Sequence, residues 1–420
     1  MTGYSSTLTW APALLVCAWP ACASDFAIRD GDTVAFLGDS ITAEGTYGRI
    51  IETYTLLRYP QRKVRFINAG WGGDTAAGGL KRLERDVLDA GATLVTVAYG
   101  INDIGWGGRA DGEHKQQYLN GVKGIVERCK ERGVRVFICS AAVTGENPDT
   151  SENGFLQEMC DEGMELSRSL GGGAIDVQRT MRECQRRMLA ANAKVTDDRK
   201  KSSMHADDGI HLNELGQLAM AYAILKGLGA PADVSSATID AAALRVTDAA
   251  GCTITDLERA GGTISFVRTD EGLPLNLGLF ACLHFRFVPI PDGLNRYMLT
   301  VKNLDAGEYD VGVNDRPLGT FSHDRLAGGI NIASATADPW VPGGPWDAQA
   351  WFLKMPTDAR GELVHARKLA GDYLKTNPDH AAVLEQMQEI DRRLVDLQRL
   401  VARPHPYRFV IRPATKAERK

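Results

Sequence analysis

A serine, an aspartate and a histidine occupy positions from which they could carry out nucleophilic chemistry together. Ser40 follows Asp39 directly after an apolar run, and His211 comes three residues after Asp208. A histidine next to a serine can take the hydroxyl proton, and a carboxylate at this spacing can hold the imidazole in the required tautomer. Each pair also has a simpler interpretation. Asp39 and Ser40 suit a helix cap, and a histidine at a helix start can be structural. Asp208 and His211 could also bind a metal, but one Asp–His pair supplies too few ligands for a convincing metal site.

Two further segments contain groups that can stabilise a negatively charged oxygen. Gly73 lies in the glycine-rich segment 68–75, and Asn102 lies in the segment 100–103. Backbone N–H groups at glycines and asparagine amides are the usual donors to an oxyanion. Taken singly, the first segment is equally typical of a flexible turn and the second of a turn residue. A Walker-type phosphate loop is not indicated, because the Gly-Lys-Ser/Thr ending is absent.

The elements around these residues alternate between apolar runs and amphipathic segments. Buried strands are predicted at 33–37, 64–67, 93–98 and 134–139, and amphipathic helices at 115–132 and 213–227. This alternation predicts an α/β domain over residues 25–232, with a doubly wound parallel sheet between two helical layers. Ser40, Gly73 and Asn102 then follow successive strands. We expect them at the carboxyl edge of the sheet, where such folds bind ligands.

The second half of the chain has a different pattern. Short alternating runs separated by turn residues predict a small β domain over residues 240–335. Strands are expected at 263–267, 285–288, 297–301 and 309–313. Two helices, 358–375 and 380–402, are separated by Asn-Pro and predict a helical hairpin within residues 345–403, followed by a tail at 404–420.

Composition and the N-terminal residues narrow the class of protein. The chain has 420 residues, of which 44% are hydrophobic and 24% are charged. Its net charge of −5 shows no excess of basic residues and gives no reason to expect a nucleic-acid partner. Residues 8–23 are apolar and end in Ala-Cys-Ala, so residues 1–23 are predicted to be a signal peptide, and the protein secreted or periplasmic. A lipid-modified signal and a buried N-terminal extension remain alternatives. No stable membrane insertion is expected, since the segment is short for a span.

The remaining six cysteines lack the Cys-x-x-Cys spacing of zinc sites, so neither a metal nor another cofactor is expected. In an oxidising compartment, Cys160 with Cys184 and Cys252 with Cys282 are candidate disulfides.

The four blocks together are more specific than any one of them. Ser40 lies in Gly-Asp-Ser-Ile, Gly73 in Asn-x-Gly-x-x-Gly-x-Thr, Asn102 in Gly-x-Asn-Asp, and His211 in Asp-x-x-His-x-x-x-x-Gly. In this order they resemble the SGNH (GDSL-type) hydrolase family over residues 30–228, and within it the secreted bacterial carbohydrate esterases. The resemblance implies a flavodoxin-like sheet. It also implies a nucleophile at Ser40, a base at His211 oriented by Asp208, and an oxyanion hole formed by the backbone N–H groups of Ser40 and Gly73 with the Asn102 amide.

The substrate is less well defined by the sequence. Tyr47, Trp71, Tyr99 and Trp106 lie near the marker residues and are candidate substrate-binding residues, because aromatic rings stack on sugar faces; ordinary packing explains them equally well. A small ester or an acetylated carbohydrate is the expected substrate, with O-deacetylation as the leading reaction. A lipase, lysophospholipase or thioesterase of the same family is the alternative, and a catalytically inactive carbohydrate-binding protein is the alternative from another class. The sequence assigns no oligomeric state.

Overall fold

The computed structural model describes residues 26–338 and 340–415. The signal peptide predicted at residues 1–23 lies outside the described residues. The first half of the chain forms a five-stranded parallel sheet with the order β2-β1-β3-β4-β5. Its strands are β1 (Thr33–Gly38), β2 (Arg65–Gly70), β3 (Leu94–Ala98), β4 (Arg135–Cys139) and β5 (Gly173–Ile175).

Helices cover both faces of this sheet. They are α1 (Ser40–Glu44), α2 (Thr46–Arg58), α3 (Ala76–Leu83), α4 (Gly112–Glu131), α5 (Pro148–Ser151), α6 (Phe155–Ser169), α7 (Val177–Asn192) and α8 (Glu214–Gly227). Helices α2, α7 and α8 pack together on one face, and α3, α4 and α6 on the other. The predicted three-layer, doubly wound α/β fold is therefore confirmed.

The apolar runs explain the sheet. Strand β1 is buried at all six positions, as expected for a central strand covered on both faces. Helix α8 is more buried than a surface helix with one apolar stripe would be. Its outer side meets the second half of the chain: the Lys226 ammonium donates to the Gly293 carbonyl, and a side chain at Gly293 would collide with Tyr222.

The second half contains two further sheets, with the orders β13-β10-β6-β7 and β12-β11-β14-β9-β8. The strands are β6 (Asp233–Asp240), β7 (Arg245–Ala250), β8 (Cys252–Ala260), β9 (Thr263–Asp270), β10 (Arg296–Lys302), β11 (Glu308–Val313), β12 (Arg316–Ser322), β13 (Ile330–Asn331) and β14 (Tyr407–Pro413). Strand β14 lies within residues 404–420, where the sequence suggested a tail, and it pairs with both β9 and β11. Its alternation of buried and exposed residues suits this position.

The strand expected at 285–288 is wrong. Residues Leu283–Arg286 form a 3₁₀ turn that continues α9 (Leu279–Cys282), and α10 (Ile290–Gly293) begins after Pro289. Proline at 289 has no backbone N–H for a strand ladder, which explains why the apolar run does not extend into a sheet.

The predicted helical hairpin is present and longer than expected. After α11 (His323–Gly328), helix α12 spans Pro345–Tyr373 and includes Pro356, and α13 spans His380–Val401. The hairpin is joined to α2 by buried polar contacts. The Arg360 guanidinium is 2.9 Å from Glu52 Oε1, and Gln398 donates to the same oxygen at 3.0 Å.

The cysteine pairings considered from the sequence are not found. All six cysteines of the described residues are free, with five of them buried, so Cys160 and Cys252 serve as core residues and not as bridge partners. No helix among the residues described here is long and apolar enough to cross a membrane.

Candidate active site

The strand β1 and helix α1 position Ser40. Ser40 is the first residue of α1, and the Asp39 carboxylate caps the helix by accepting the Ile41 N–H at 3.0 Å. Gly38 is the residue before this cap. A Cβ atom added at Gly38 would lie only 2.1 Å from Thr42 Oγ1 and 2.8 Å from the Ala98 carbonyl oxygen. Only glycine fits this close approach between strand and helix, so the turn delivers the serine to the sheet edge.

Ser40, His211 and Asp208 form a continuous hydrogen-bonded chain. Ser40 Oγ lies 2.9 Å from His211 Nε2, and His211 Nδ1 lies 2.5 Å from Asp208 Oδ2. A proton on Nδ1 is held by the carboxylate, which leaves Nε2 able to accept the serine proton. The structure thus joins three residues that the sequence separates by up to 171 positions.

The loop before α8 fixes the histidine. Gly209 has φ +68°, and this tight turn lets Asp208 Oδ1 accept the backbone N–H groups of Ile210 and His211, each at 2.9 Å. Asn213 then caps α8 by accepting from Leu215 and Gly216. The hydrogen bond from His211, together with the two backbone donors, lowers the pKa of Asp208 to about 2. Asp208 is therefore a carboxylate at any pH where His211 could act as a base.

The glycine and asparagine segments lie beside this chain. Gly73 has φ +73°, within the turn that follows β2. The Asn102 amide donates to the Asp74 carbonyl oxygen at 3.1 Å, and its own Oδ1 accepts the Trp106 indole N–H at 2.9 Å. These contacts fix the amide with its NH₂ group toward the 73–74 turn. An amide NH₂ has two hydrogens, so one remains for an oxyanion.

Trp106 links the asparagine to the histidine. Its ring packs edge-on against His211, with 5.7 Å between the ring centres, while its N–H orients Asn102. The residue adopts φ +56°, which is unusual for a bulky side chain and a sign of local strain. Such strain is often found at functional sites. The structure therefore gives Trp106 an orienting contact in addition to the substrate-binding role considered from the sequence.

The four candidate aromatic residues separate into two pairs. Trp71 and Trp106 are 46% and 51% exposed, so each offers a ring face to a substrate. Tyr47 and Tyr99 are each 1% exposed and have no accessible ring face. Tyr47 packs on Phe36 and bonds Thr42, which makes it a core residue beneath the site.

Arg82 is an important residue that the sequence analysis did not identify. Its guanidinium, on α3, donates to Asp74 Oδ2 at 2.7 Å, to the Tyr99 hydroxyl at 2.8 Å, and to the carbonyl oxygens of Gly38 at 3.0 Å and Ala69 at 2.6 Å. One planar cation thus connects the segments after β1, β2 and β3. No motif signals it, because an arginine on an amphipathic helix is ordinarily a surface residue.

Two buried carboxylates lie next to the site. Burial raises the pKa of Asp39 to about 6 and that of Asp103 to about 6. Asp103 Oδ1 accepts the Ala76 N–H at 3.0 Å and so anchors the start of α3 to the Asn102 segment. Both carboxylates serve the local backbone and do not contact His211 by a hydrogen bond in the part of the chain described.

A small cavity lies behind the reacting groups. Residues next to Ser40, Asn102 and His211 in sequence line it, among them Ile41, Ile101 and Ile210. Its volume is about 10 Å³, close to the space that one water molecule needs. Over residues 26–338 and 340–415, no group of three or more His, Cys, Asp or Glu side chains is arranged to hold a metal ion. The hydrogen-bonded arrangement of Ser40, His211 and Asp208 can activate the serine hydroxyl.

Parts of the chain are similar to known proteins. An acetylxylan esterase from Geobacillus stearothermophilus is 33% identical over 92 residues, which cover 18% of this chain and 42% of that protein. The matched segment thus spans less than half of that relative. A solved structure of an acetylxylan esterase from the same organism covers 48% of this chain at 19% identity, with a TM-score of 0.41.

A gut microbial diltiazem-metabolizing enzyme of known structure is similar over 92% of this chain and 98% of its own, with a TM-score of 0.75 and 24% identity. This likeness shows that the fold, including the second half of the chain, is shared. Residues 36–219 match the family model described as the GDSL-like Lipase/Acylhydrolase family. This match places the similarity to GDSL-type hydrolases in the α/β domain, around the segments that contain Ser40, Gly73, Asn102 and His211.

Proposed function

We propose that this protein is a secreted serine esterase that removes acetyl groups from a carbohydrate. Ser40 attacks the ester carbonyl, and His211 takes the serine proton and then gives it to the leaving alcohol. Asp208 holds the imidazole in the required orientation. The hydrogen-bonded chain from Ser40 through His211 to Asp208 is the observation that carries the proposal.

The tetrahedral intermediate needs donors for its negatively charged oxygen. We assign this role to the N–H groups of Ser40 and Gly73 and to the Asn102 amide. The contacts of Asn102 with Asp74 and Trp106 support the assignment, because they orient the amide before substrate arrives. Such preorganised donors stabilise the transition state without reorganisation, and loss of one typically costs about 2.7–4 kcal/mol.

The partial likeness to an acetylxylan esterase supports both an acetyl group and a sugar alcohol. The exposed side chains of Trp71 and Trp106 also support a sugar as the alcohol, because aromatic rings stack on sugar faces. The apolar segment at residues 8–23 supports secretion.

Replacement of the nucleophile tests the reaction. We expect Ser40→Ala to abolish the release of acetate from acetylated xylan and from 4-nitrophenyl acetate, with an unchanged melting temperature. A serine-directed phosphonate should label Ser40 in the wild type. If the wild type hydrolyses no ester between pH 6 and 9 and Ser40 is not labelled, the protein is a binding protein and the proposal is wrong. Faster cleavage of long-chain acyl esters than of acetates would favour the lipase alternative.

A further inference from the structure

A large cavity lies between the α/β domain and the helical hairpin. Its volume is about 460 Å³, within the range typical of ligand pockets. One wall consists of α1, the start of α2 and the turn after β2. The opposite wall is formed by α12, from Arg360 to Leu369. A cavity bounded by two separately folded parts of the chain is a common place for a ligand site.

The α12 wall is held firmly in place. Arg360 contacts Glu52 on α2 and Asp391 on α13, both at 2.9 Å, and its side chain is only 12% exposed. Arg49 on α2 is 3.2 Å from Asp358 on α12. The pair between Arg360 and Glu52 is sheltered from solvent, since the two side chains are 12% and 10% exposed, and it links the two walls. The cavity is therefore a built feature of the fold.

The cavity begins close to the proposed nucleophile. Thr42 and Ala43, in the helix that Ser40 starts, line it together with Trp71 and Gly72, which directly precede Gly73. Helix α1 has five residues and so a length of about 7.5 Å. A Cβ atom at Gly70 would lie 2.2 Å from the Ala43 nitrogen, which shows how closely the end of β2 packs on α1. The lining therefore begins at Thr42, two residues or about 3 Å along the helix axis from Ser40.

The lining combines apolar surfaces with fixed charged groups. Trp71, Val364 and Leu369 contribute apolar area, and Arg49 and Glu362 contribute charged groups that are 4.0 Å apart. A pyranose needs this combination, because its ring faces are apolar and its hydroxyl groups require hydrogen-bond partners around the edge. A long alkyl chain would gain no hydrogen bonds from these charged groups.

We propose that this cavity binds the sugar alcohol of the ester, so that the hairpin forms part of the substrate site. The inference rests on the proposed function, since it assigns the leaving group of that same reaction. The cavity beside α12 then selects the carbohydrate part of the ester.

A bulky substitution on α12 tests this inference. Val364→Trp fills the cavity from the wall opposite Ser40, while Ala366→Trp adds the same side chain at an exposed α12 position that does not line it. We measure kcat/KM for ethyl acetate, whose alcohol is too small to reach the cavity, and for acetylated xylobiose. Val364→Trp should lower kcat/KM for acetylated xylobiose by about tenfold or more. It should leave ethyl acetate unchanged, and Ala366→Trp should change neither.

The outcomes separate the two proposals. If the wild type cleaves both esters and Val364→Trp affects neither, or lowers both equally, the cavity does not bind the alcohol. If the wild type cleaves neither, the proposed esterase function itself fails. A second variant, Leu369→Trp, fills the cavity from another position of the same helix, and it should reproduce the selective loss.

Discussion

Arg82 offers a test of how the site is assembled, because one side chain connects three segments. In Arg82→Met, the carbonyl oxygens of Gly38 and Ala69 lose a donor, and Asp74 loses its cation. Arg82 and Asp74 are only 10% and 11% exposed, so solvent compensates little. Breaking a buried pair of this kind costs about 3–5 kcal/mol when one charge stays unpaired.

Asp74 directly follows Gly73, and its carbonyl oxygen holds the Asn102 amide. An unpaired Asp74 would move this turn, and the site would lose the alignment of at least one proposed oxyanion donor. A displaced donor costs about 2.7–4 kcal/mol in the transition state, which is a 10²- to 10³-fold decrease in kcat. We expect this decrease for ethyl acetate and for acetylated sugars alike, with KM little changed.

The assay is steady-state hydrolysis of both esters, combined with the rate at which a phosphonate labels Ser40. The matched control is Arg85→Met. Arg85 lies three positions later, is 71% exposed and pairs with Asp86 at the surface, so kcat should stay within a factor of two or so of wild type. Arg82→Lys should recover little activity, because an ammonium group cannot bond the separate segments that a planar guanidinium reaches. Wild-type kcat in Arg82→Met would refute the argument. A loss that Arg82→Lys fully restores would show that charge alone matters.

Two further predictions concern the carboxylates. Asp208→Asn should lower kcat by about 10⁴-fold. The amide NH₂ would face Nδ1 and favour the His211 tautomer with its proton on Nε2, which cannot accept the serine proton. A loss of kcat smaller than tenfold would contradict the assigned orientation of the His211 ring. Burial raises the pKa of Asp39 from an unfolded value near 4 to about 6, so the folded state holds a proton that the unfolded state releases. Stability should then decrease by up to about 3 kcal/mol as pH rises from 4 to 6. Asp39→Asn keeps the cap to Ile41 and should make the melting temperature fall less steeply over this range; the remaining slope is due in part to Asp103, whose pKa is also raised to about 6. A pH profile identical to that of the wild type would show that Asp39 does not contribute.

The sequence predicts the α/β half of the molecule well, since its signals are local. Apolar runs such as Thr33–Leu37, alternating with amphipathic segments, are typical of central strands, and residues that follow parallel strands share one sheet edge. The contacts between Ser40, His211 and Asp208 are expected from the resemblance of the four blocks to the SGNH family. The structure brings Ser40 Oγ to 2.9 Å from His211 Nε2.

Other features depend on tertiary contacts that leave no local pattern. Tyr47 and Trp71 are both aromatic residues near motifs, yet one is buried in the core and the other is half exposed. Arg82 donates hydrogen bonds to three segments, at the ends of β1, β2 and β3, and these segments come close to one another only in the folded chain. Strand β14 has an ordinary alternating pattern, but its partners, β9 and β11, lie far away in sequence and cannot be identified from it.

The position of β14 has a consequence for the order in which the chain can fold. Phe409 pairs with Phe266 in the middle of a sheet, 143 residues earlier in the chain. Strands β9 and β11 are synthesised well before β14, so their sheet can close only when almost the whole polypeptide has been made. All strands of the parallel sheet, in contrast, are complete by residue 175. The α/β domain can therefore form early during synthesis, whereas the sheet that contains β14 can form only at the end.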